Sequence, residues 1–390
     1  MEGDKSLTYN ISENQGKGSD KLASLISLFN HKGGVSKTTT VFHLGWKMAN
    51  LGKRVLVVDA DPQCNLTGLT LGLDDYDSLV RFYDSKQNTD IFNSLAPEFS
   101  LEGAAHSPLS ATSITPTKND NLFILAGNIR FSELDTQIAT AMTSSNTLPV
   151  LRKFVGAFNT LIRKMASEHD IDIVLIDMSP SVSSTNQCIL MSSDYFLVPV
   201  SPDFYCYQAI DSLSNVLPKW AQEITPFKKG GNSPLPSLNP KMLGFITQNY
   251  RIYTTVNQNA VEEKDQPKQM SRAYSDWLDR IKEVANRRLV PALEASSMMI
   301  KKEYFTESVT HDAPYHLGGV QNFSGLIPVS QKLSKPIFEL NKEDGNWSGA
   351  RWMWEKDGKE NGIKVNIEEA DRVYQGLAKS VLNMIELDKK

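Results

Sequence analysis

The sequence predicts an α/β fold, a mainly parallel sheet with helices on both faces plus insertions. Three observations predict it. Apolar runs along the chain are continuous rather than alternating, they alternate with helical segments, and the first of them stops at a Gly-rich turn that opens a helix. A strand that is apolar on both faces must be covered on both, which is the condition of a parallel sheet between two helical layers.

Leu22 to Asn30 (LASLISLFN) is the first of these runs, and Thr38 to Leu51 reads as a helix closed by Gly52. Lys53 to Asp59 (KRVLVVD) and Asp170 to Asp177 (DIDIVLID) are β-branched runs that each end in an aspartate, and Tyr195 to Val200 (YFLVPV) and Lys241 to Thr247 (KMLGFIT) follow. Between them, Leu71 to Asn121 has no clear period and carries Ser, Thr, Pro and Asn clusters, the pattern of an irregular excursion or small helical insertion. Phe227 to Pro240 is a loop by its Gly, Pro and Asn content. Val261 to Tyr304 returns to helical character with mixed charges, and Leu340 to Gly362 holds Trp347, Trp352 and Trp354 among Gly, Asn and Lys. A helix near Glu368 to Leu387 ends the chain. The expected organisation is a loose polar tail over 1–21, then a single domain over 22–390 with insertions near 71–121 and 261–320 and a C-terminal helical extension near 341–390.

Of the 390 residues, 40% are hydrophobic and 9% aromatic, enough for one large α/β core or two modest ones. A formal net charge of −4 gives no overall field for nucleic acid, so any such contact must come from a local basic patch. Cys64, Cys188 and Cys206 have no CxxC spacing and no neighbouring His pair, which argues against a zinc site or a disulfide framework and fits a reducing cytoplasm. No apolar run approaches the roughly 18 to 20 residues that span a bilayer.

The chemistry concentrates in His31-Lys-Gly-Gly-Val-Ser-Lys-Thr-Thr39, between the first strand and its helix. Backbone N–H groups of a Gly-rich turn and a helix N-terminus can surround phosphate oxygens there, with Lys37 on the β- and γ-phosphates and Thr38 on Mg²⁺. Gly33 and Gly34 let the backbone come close. The strict pattern GxxxxGK[ST] fails, because its glycine positions hold His31 and Ser36. A Cβ at a position that needs a left-handed backbone costs on the order of 1–2 kcal/mol. An isolated aspartate at a strand end is ordinarily a solvated or capping residue; Asp59, Asp61 and Asp177 stand together at strand C-termini, where α/β sheets bind ligands.

Lys32-Gly-Gly-x-x-Lys-Thr-Thr resembles the deviant Walker A motif of the ParA/MinD superfamily, with its extra signature lysine five residues before the P-loop lysine. The sequence is most like the ParA/Soj-type partition ATPases. Val57 to Thr67 (VVDADPQCNLT) looks like that family's second motif, Leu175 to Ser181 (LIDMSPS) like its Walker B and switch II, and Leu197 to Val200 like the following strand. Asn121 to Glu133 resembles the strand and turn ahead of Walker B, and Gly325 to Leu340 carries a weaker trace.

The resemblance implies a P-loop fold of the deviant Walker A type that binds ATP and Mg²⁺ through Gly33, Gly34, Val35, Ser36, Lys37, Thr38 and Thr39. Asp177 and Thr38 would support the magnesium shell, Asp59 would assist the metal through water, and Asp61 would position the attacking water. It also implies a nucleotide-sandwich homodimer in which Lys32 crosses to the partner's ATP, and a partner protein that stimulates slow hydrolysis. Asn249, just beyond the Lys241 to Thr247 run, is a candidate adenine contact by position, an exposed loop Asn being the alternative.

Two functions compete. The first is a partition ATPase whose ATP dimer binds DNA non-specifically. Arg280, Lys282, Arg287, Arg288, Lys301 and Lys302 lean basic, but Asp276, Asp279, Glu283, Glu294 and Glu303 interleave with them as on a solvated helix face. The second is a ParA-like regulatory ATPase that controls a protein partner in a plasmid, prophage or defence operon through the 71–121 excursion and the tryptophan segment. Lys379 to Lys390 has little net positive charge and no Trp or Phe, so no membrane contact is expected.

Overall fold

The computed structural model describes residues 22–73, 75–85, 89–99, 113–144, 151–229, 233, 235–254, 268–309, 314–323, 325–345, 355–356, 359–360 and 362–390. The Trp347, Trp352 and Trp354 segment and the 1–21 tail lie outside these.

In chain order the strands are β1 (Ser24–Leu28), β2 (Val55–Ala60), β3 (Thr115–Pro116), β4 (Leu122–Leu125), β5 (Ile173–Met178), β6 (Tyr195–Val200), β7 (Lys241–Tyr250), β8 (Ile252–Thr254), β9 (Lys268–Met270), β10 (His316–Gln321), β11 (Glu355–Lys356) and β12 (Lys359–Glu360). The helices of the first half are α1 (Lys37–Asn50), α2 (Asn65–Leu71), α3 (Tyr76–Asp84), α4 (Ile91–Leu95), α5 (Leu134–Ser144), α6 (Arg152–Glu168) and α7 (Ser184–Ser192). Those of the second half are α8 (Phe204–Ile224), α9 (Arg272–Val284), α10 (Val290–Ala295), α11 (Lys302–Ser308), α12 (Ile327–Leu333) and α13 (Gly362–Lys389).

One eight-stranded sheet runs β10-β7-β6-β1-β5-β2-β4-β3, and every pairing in it is parallel except the edge pair β3 with β4. All residues of β1, β2, β5 and β6 are buried, as their continuous Val, Ile and Leu content requires. From β1 the chain moves out to β2 and β4, returns to β5, and crosses to β6 and β7 on the other side. The carboxyl end of β1 therefore sits where the winding reverses, the place where such sheets bind ligands.

Helix α1 is buried along almost its whole length. Gly45 makes that possible, because a Cβ there would lie 2.9 Å from Val57 Cγ1 of β2. Its outer side is covered by α13, whose apolar residues Ile367, Ala370, Tyr374, Leu377, Val381 and Met384 recur at helical spacing. His43 joins the layers: Nδ1 donates to Thr39 O (2.8 Å), Nε2 accepts from Ile337 N (3.1 Å), and the ring stacks on Tyr374 at 4.8 Å. Lys47 pairs with Asp371 and lies over the Phe338 ring.

Three elements differ from the sequence reading. β7 continues three residues past Thr247, so Asn249 is inside a strand rather than beyond one. β10 pairs with β7 in the main sheet, where the 261–320 stretch gave no sign of a strand. Helix α13 begins six residues before Glu368, at Gly362. The described part of the 71–121 excursion consists of α3, α4, a 3₁₀ turn at Ala96–Phe99 and the short edge strand β3.

Candidate functional site

The loop from His31 to Ser36 leaves β1 at its carboxyl end and delivers Lys37 as the first residue of α1. Gly34 (φ 75°) and Ser36 (φ 58°, ψ 32°) are both left-handed, so Ser36 carries the cost of a Cβ in that conformation. Asn30 ties the loop to the end of β6, its Nδ2 donating to Pro199 O (2.9 Å) and its Oδ1 accepting from Lys32 N (3.0 Å).

Gly33 to Thr39 line one wall of a cavity of about 760 Å³. Asp61 and Pro180 line it from the ends of β2 and β5, Asn65 and Leu69 from α2, and Gln331 and Lys332 from α12. That volume is within the range of small-molecule sites. Lys37 Nζ folds back into the loop, donating to Asn30 O (3.0 Å) and Lys32 O (3.2 Å). Burial lowers its pKa, while the Asp177 and Asp61 carboxylates pull it back up.

The two strand-end aspartates are placed alike and bonded differently. Asp59 and Asp177 are directly opposite in the β2–β5 register and both are buried. Asp59 Oδ2 accepts from Thr67 N (2.8 Å) and Thr67 Oγ1 (2.7 Å), and Oδ1 accepts from Asp61 N (3.3 Å). Both oxygens of Asp177 are buried with no hydrogen-bond partner within 3.5 Å. Burial and the facing Asp59 push the Asp177 pKa up to about 8, against the pull of the Thr38 hydroxyl and Lys37. Burial likewise raises Asp59 to about 6.

A pH dependence follows. The folded pKa of Asp177 lies above its ordinary 3.8, so its contribution to stability is full below about pH 4 and is lost as pH rises through 8. His43, held near 4 by burial, contributes above its ordinary 6.5 and loses that as pH falls; Asp59 acts below about 6. Between pH 6.5 and 8 the fall in stability with rising pH belongs to Asp177, while Lys228, lowered to about 8 by burial, opposes it. The nucleotide-free protein is expected to gain several degrees of Tm on moving from pH 8 to 6.5, and Asp177→Asn to lose that gain. Equal slopes in calorimetric scans of the two proteins would contradict this charge assignment.

Of the residues singled out in the sequence, Gly33, Gly34, Val35, Ser36, Lys37, Thr38, Thr39 and Asp61 meet at the cavity. Asp177 lies behind them, close to Thr38. Lys32 points instead to Asp203, the N-cap of α8, at 2.6 Å. Asn249 does not line the cavity; its Nδ2 donates to Ser36 Oγ at 2.7 Å. Sequence reasoning missed Asn30, Asp203 and the α12 wall. Asp203 is legible as a helix cap, but nothing near it signals a lysine 171 residues away.

Residues 23–227 match the model of the AAA_31 family, described as an AAA domain. The chain is 27% identical over 197 residues to the sporulation initiation inhibitor protein Soj of Bacillus subtilis, covering 50% of this chain and 65% of that protein. It is 29% identical over 201 residues to the chromosome-partitioning ATPase Soj of Thermus thermophilus, covering 52% and 64%. The chain thus spans slightly less than two thirds of these relatives. Among solved structures, apo McdA of Cyanothece superposes with a TM-score of 0.55 at 14% identity, over 92% of this chain and 99% of that one. An ATP complex of a Cyanothece McdA variant gives 0.55 at 13%, over 93% and 97%. At those identities the likeness is one of fold. The family match extends over more than half of the chain and takes in the loop, Asp59, Asp61 and Asp177 together, so the protein is a member of the AAA_31 family, with ParA/Soj partition ATPases among its homologues.

Proposed function

We propose that this chain is a ParA-like ATPase that works as an ATP-dependent dimer switch in plasmid or chromosome partition, with non-specific DNA contact and a partner protein that stimulates hydrolysis. The observation that carries the reading is Asp177, a buried carboxylate with two unpartnered oxygens beside Thr38 and Lys37. Burial holds this carboxyl largely protonated, and an arriving cation would replace the proton and give its oxygens a partner. Among the described residues no group of three or more His, Cys, Asp or Glu could hold a metal alone. That donor set fits Mg²⁺, which keeps waters and arrives with phosphates. The ion would sit against Thr38 Oγ1 and the carboxylate of Asp177, and when bound would neutralise phosphate charge.

The chain's own residues then have distinct tasks. The N–H groups of 33–39 cradle phosphates, Lys37 turns from its loop carbonyls to phosphate oxygens, and Asp61 orients a water at the cavity wall. Asp59, whose oxygens already hold Thr67 and Asp61, keeps the turn that presents Asp61. The partition name of the Thermus relative supports the biological setting. The basic stretch supports DNA contact weakly, since Arg287 pairs with Glu283 and Arg288 with Asp211. Against a membrane role, α13 buries Val381, Met384 and Ile385 in the core.

In this mechanism Lys32 leaves Asp203 and reaches the partner's nucleotide. Light scattering with a non-hydrolysed ATP analogue is expected to show the mass double, and Lys32→Ala to bind nucleotide but stay monomeric. A wild-type mass that is the same with and without nucleotide would defeat the switch.

One observation favours the second reading, a regulatory ATPase that acts on a protein partner in a plasmid, prophage or defence operon. Tyr76, Val80 and Tyr83 repeat at helical spacing on α3 and are all exposed, Tyr76 at 79%. Co-purification of a protein through α3, without DNA binding, would select it.

A further inference from the structure

Two non-glycine residues, Ser36 of the loop and Asn249 of β7, both have φ of 58°, and their side chains meet. The residue before Asn249 joins in: Gln248 Nε2 donates to Thr40 Oγ1 (3.0 Å). Thr40 in turn donates to the Ser36 carbonyl through its N (2.9 Å) and its Oγ1 (2.7 Å). Two successive amides at the end of β7 thus grip the start of α1, one through the Ser36 side chain and one through the group that holds its carbonyl.

This contact stands where the sequence departs from the strict P-loop pattern. A glycine there adopts the left-handed conformation unaided, whereas a serine has to be held in it. Asn is among the few L residues that tolerate that region, so the residue supplying the contact is itself cheaply placed. We propose that Asn249, backed by Gln248, is a positioning residue: its amide holds Ser36 left-handed so that the N–H groups of Ser36 to Thr39 face the cavity. The inference rests on the reading of this loop as a phosphate site. It replaces the expectation of Asn249 as an adenine contact, and the two roles differ in what rescues them.

The test uses four full-length proteins: wild type, Asn249→Ala, Ser36→Gly and the double variant. Binding of Mg²⁺ with an ATP analogue is read by calorimetry, and unfolding is read without nucleotide. Asn249→Ala is expected to weaken binding about tenfold in the wild-type chain and by less than about threefold when added to Ser36→Gly, whatever affinity Ser36→Gly itself has, since a glycine needs no clamp and contacting sites are non-additive. An adenine contact would instead cost the same tenfold in both backgrounds. That result, or unchanged binding in Asn249→Ala, overturns the clamp. If the wild type binds no nucleotide, the phosphate reading fails, and the unfolding cycle decides the clamp alone. Asn249→Ala should then lower Tm less in the Ser36→Gly background than in the wild type, and equal losses in both overturn it.

Discussion

Lys37→Ala is expected to lower ATP affinity by at least about a hundredfold, since charge-assisted bonds in a buried site are among the strongest a side chain makes. The amine is buried and bonded to two neutral carbonyls of its own loop, where burial lowers its pKa against the opposing pull of Asp177 and Asp61. Phosphate oxygens would exchange those neutral acceptors for charged ones. Without the lysine, Mg²⁺ and the more distant Lys332 would be left to offset the Asp61 and Asp177 carboxylates that the phosphates face, so attraction is lost and repulsion is less well compensated. Calorimetry on a variant with a wild-type circular dichroism spectrum measures this, and unchanged affinity would remove the P-loop assignment.

The parts of the fold legible in the sequence were those whose physics is local. β1, β2, β5 and β6 read as strands because a doubly covered strand has to be apolar throughout. β10 did not, because His316–Gln321 (HLGGVQ) is an edge strand with two glycines and only two buried positions. The Gly-rich loop between β1 and α1 was legible for the same reason, since strand, turn, lysine and hydroxyl are contiguous in the chain. What stayed hidden are side-chain meetings over long separations: Lys32 with Asp203 across 171 residues, Ser36 with Asn249 across 213, and the α12 wall with Lys332. No periodicity or spacing encodes these, because they arise only once β6, β7 and α12 have been laid beside α1. The left-handed Ser36 was foreseeable from the missing glycine, but the amide that meets it was not.

Asp61→Ala is expected to retain ATP within a few-fold, lose about a hundredfold or more in turnover, and accumulate the nucleotide-bound dimer. A group that acts on the attacking water is needed chiefly in the transition state, so its removal lowers kcat more than it weakens ground-state binding. The geometry also offers a structural explanation that the experiment has to separate. Asp61 Oδ1 accepts from Gln63 N at 3.0 Å, so truncation also removes a bond that shapes the turn into α2. Asp61→Asn keeps an oxygen for Gln63 N and keeps the size of the side chain, but loses the negative charge. If the carboxylate polarises water, both variants hydrolyse slowly and both hold ATP as a dimer. Should Asp61→Asn turn over at the wild-type rate while Asp61→Ala does not, Asp61 is a turn-former. If even Asp61→Ala hydrolyses normally, the catalytic role passes to Asp59 or to a residue brought by a partner. Asp59 is the less suited of those two, because its oxygens are already bonded to Thr67 and Asp61 and it is fully buried.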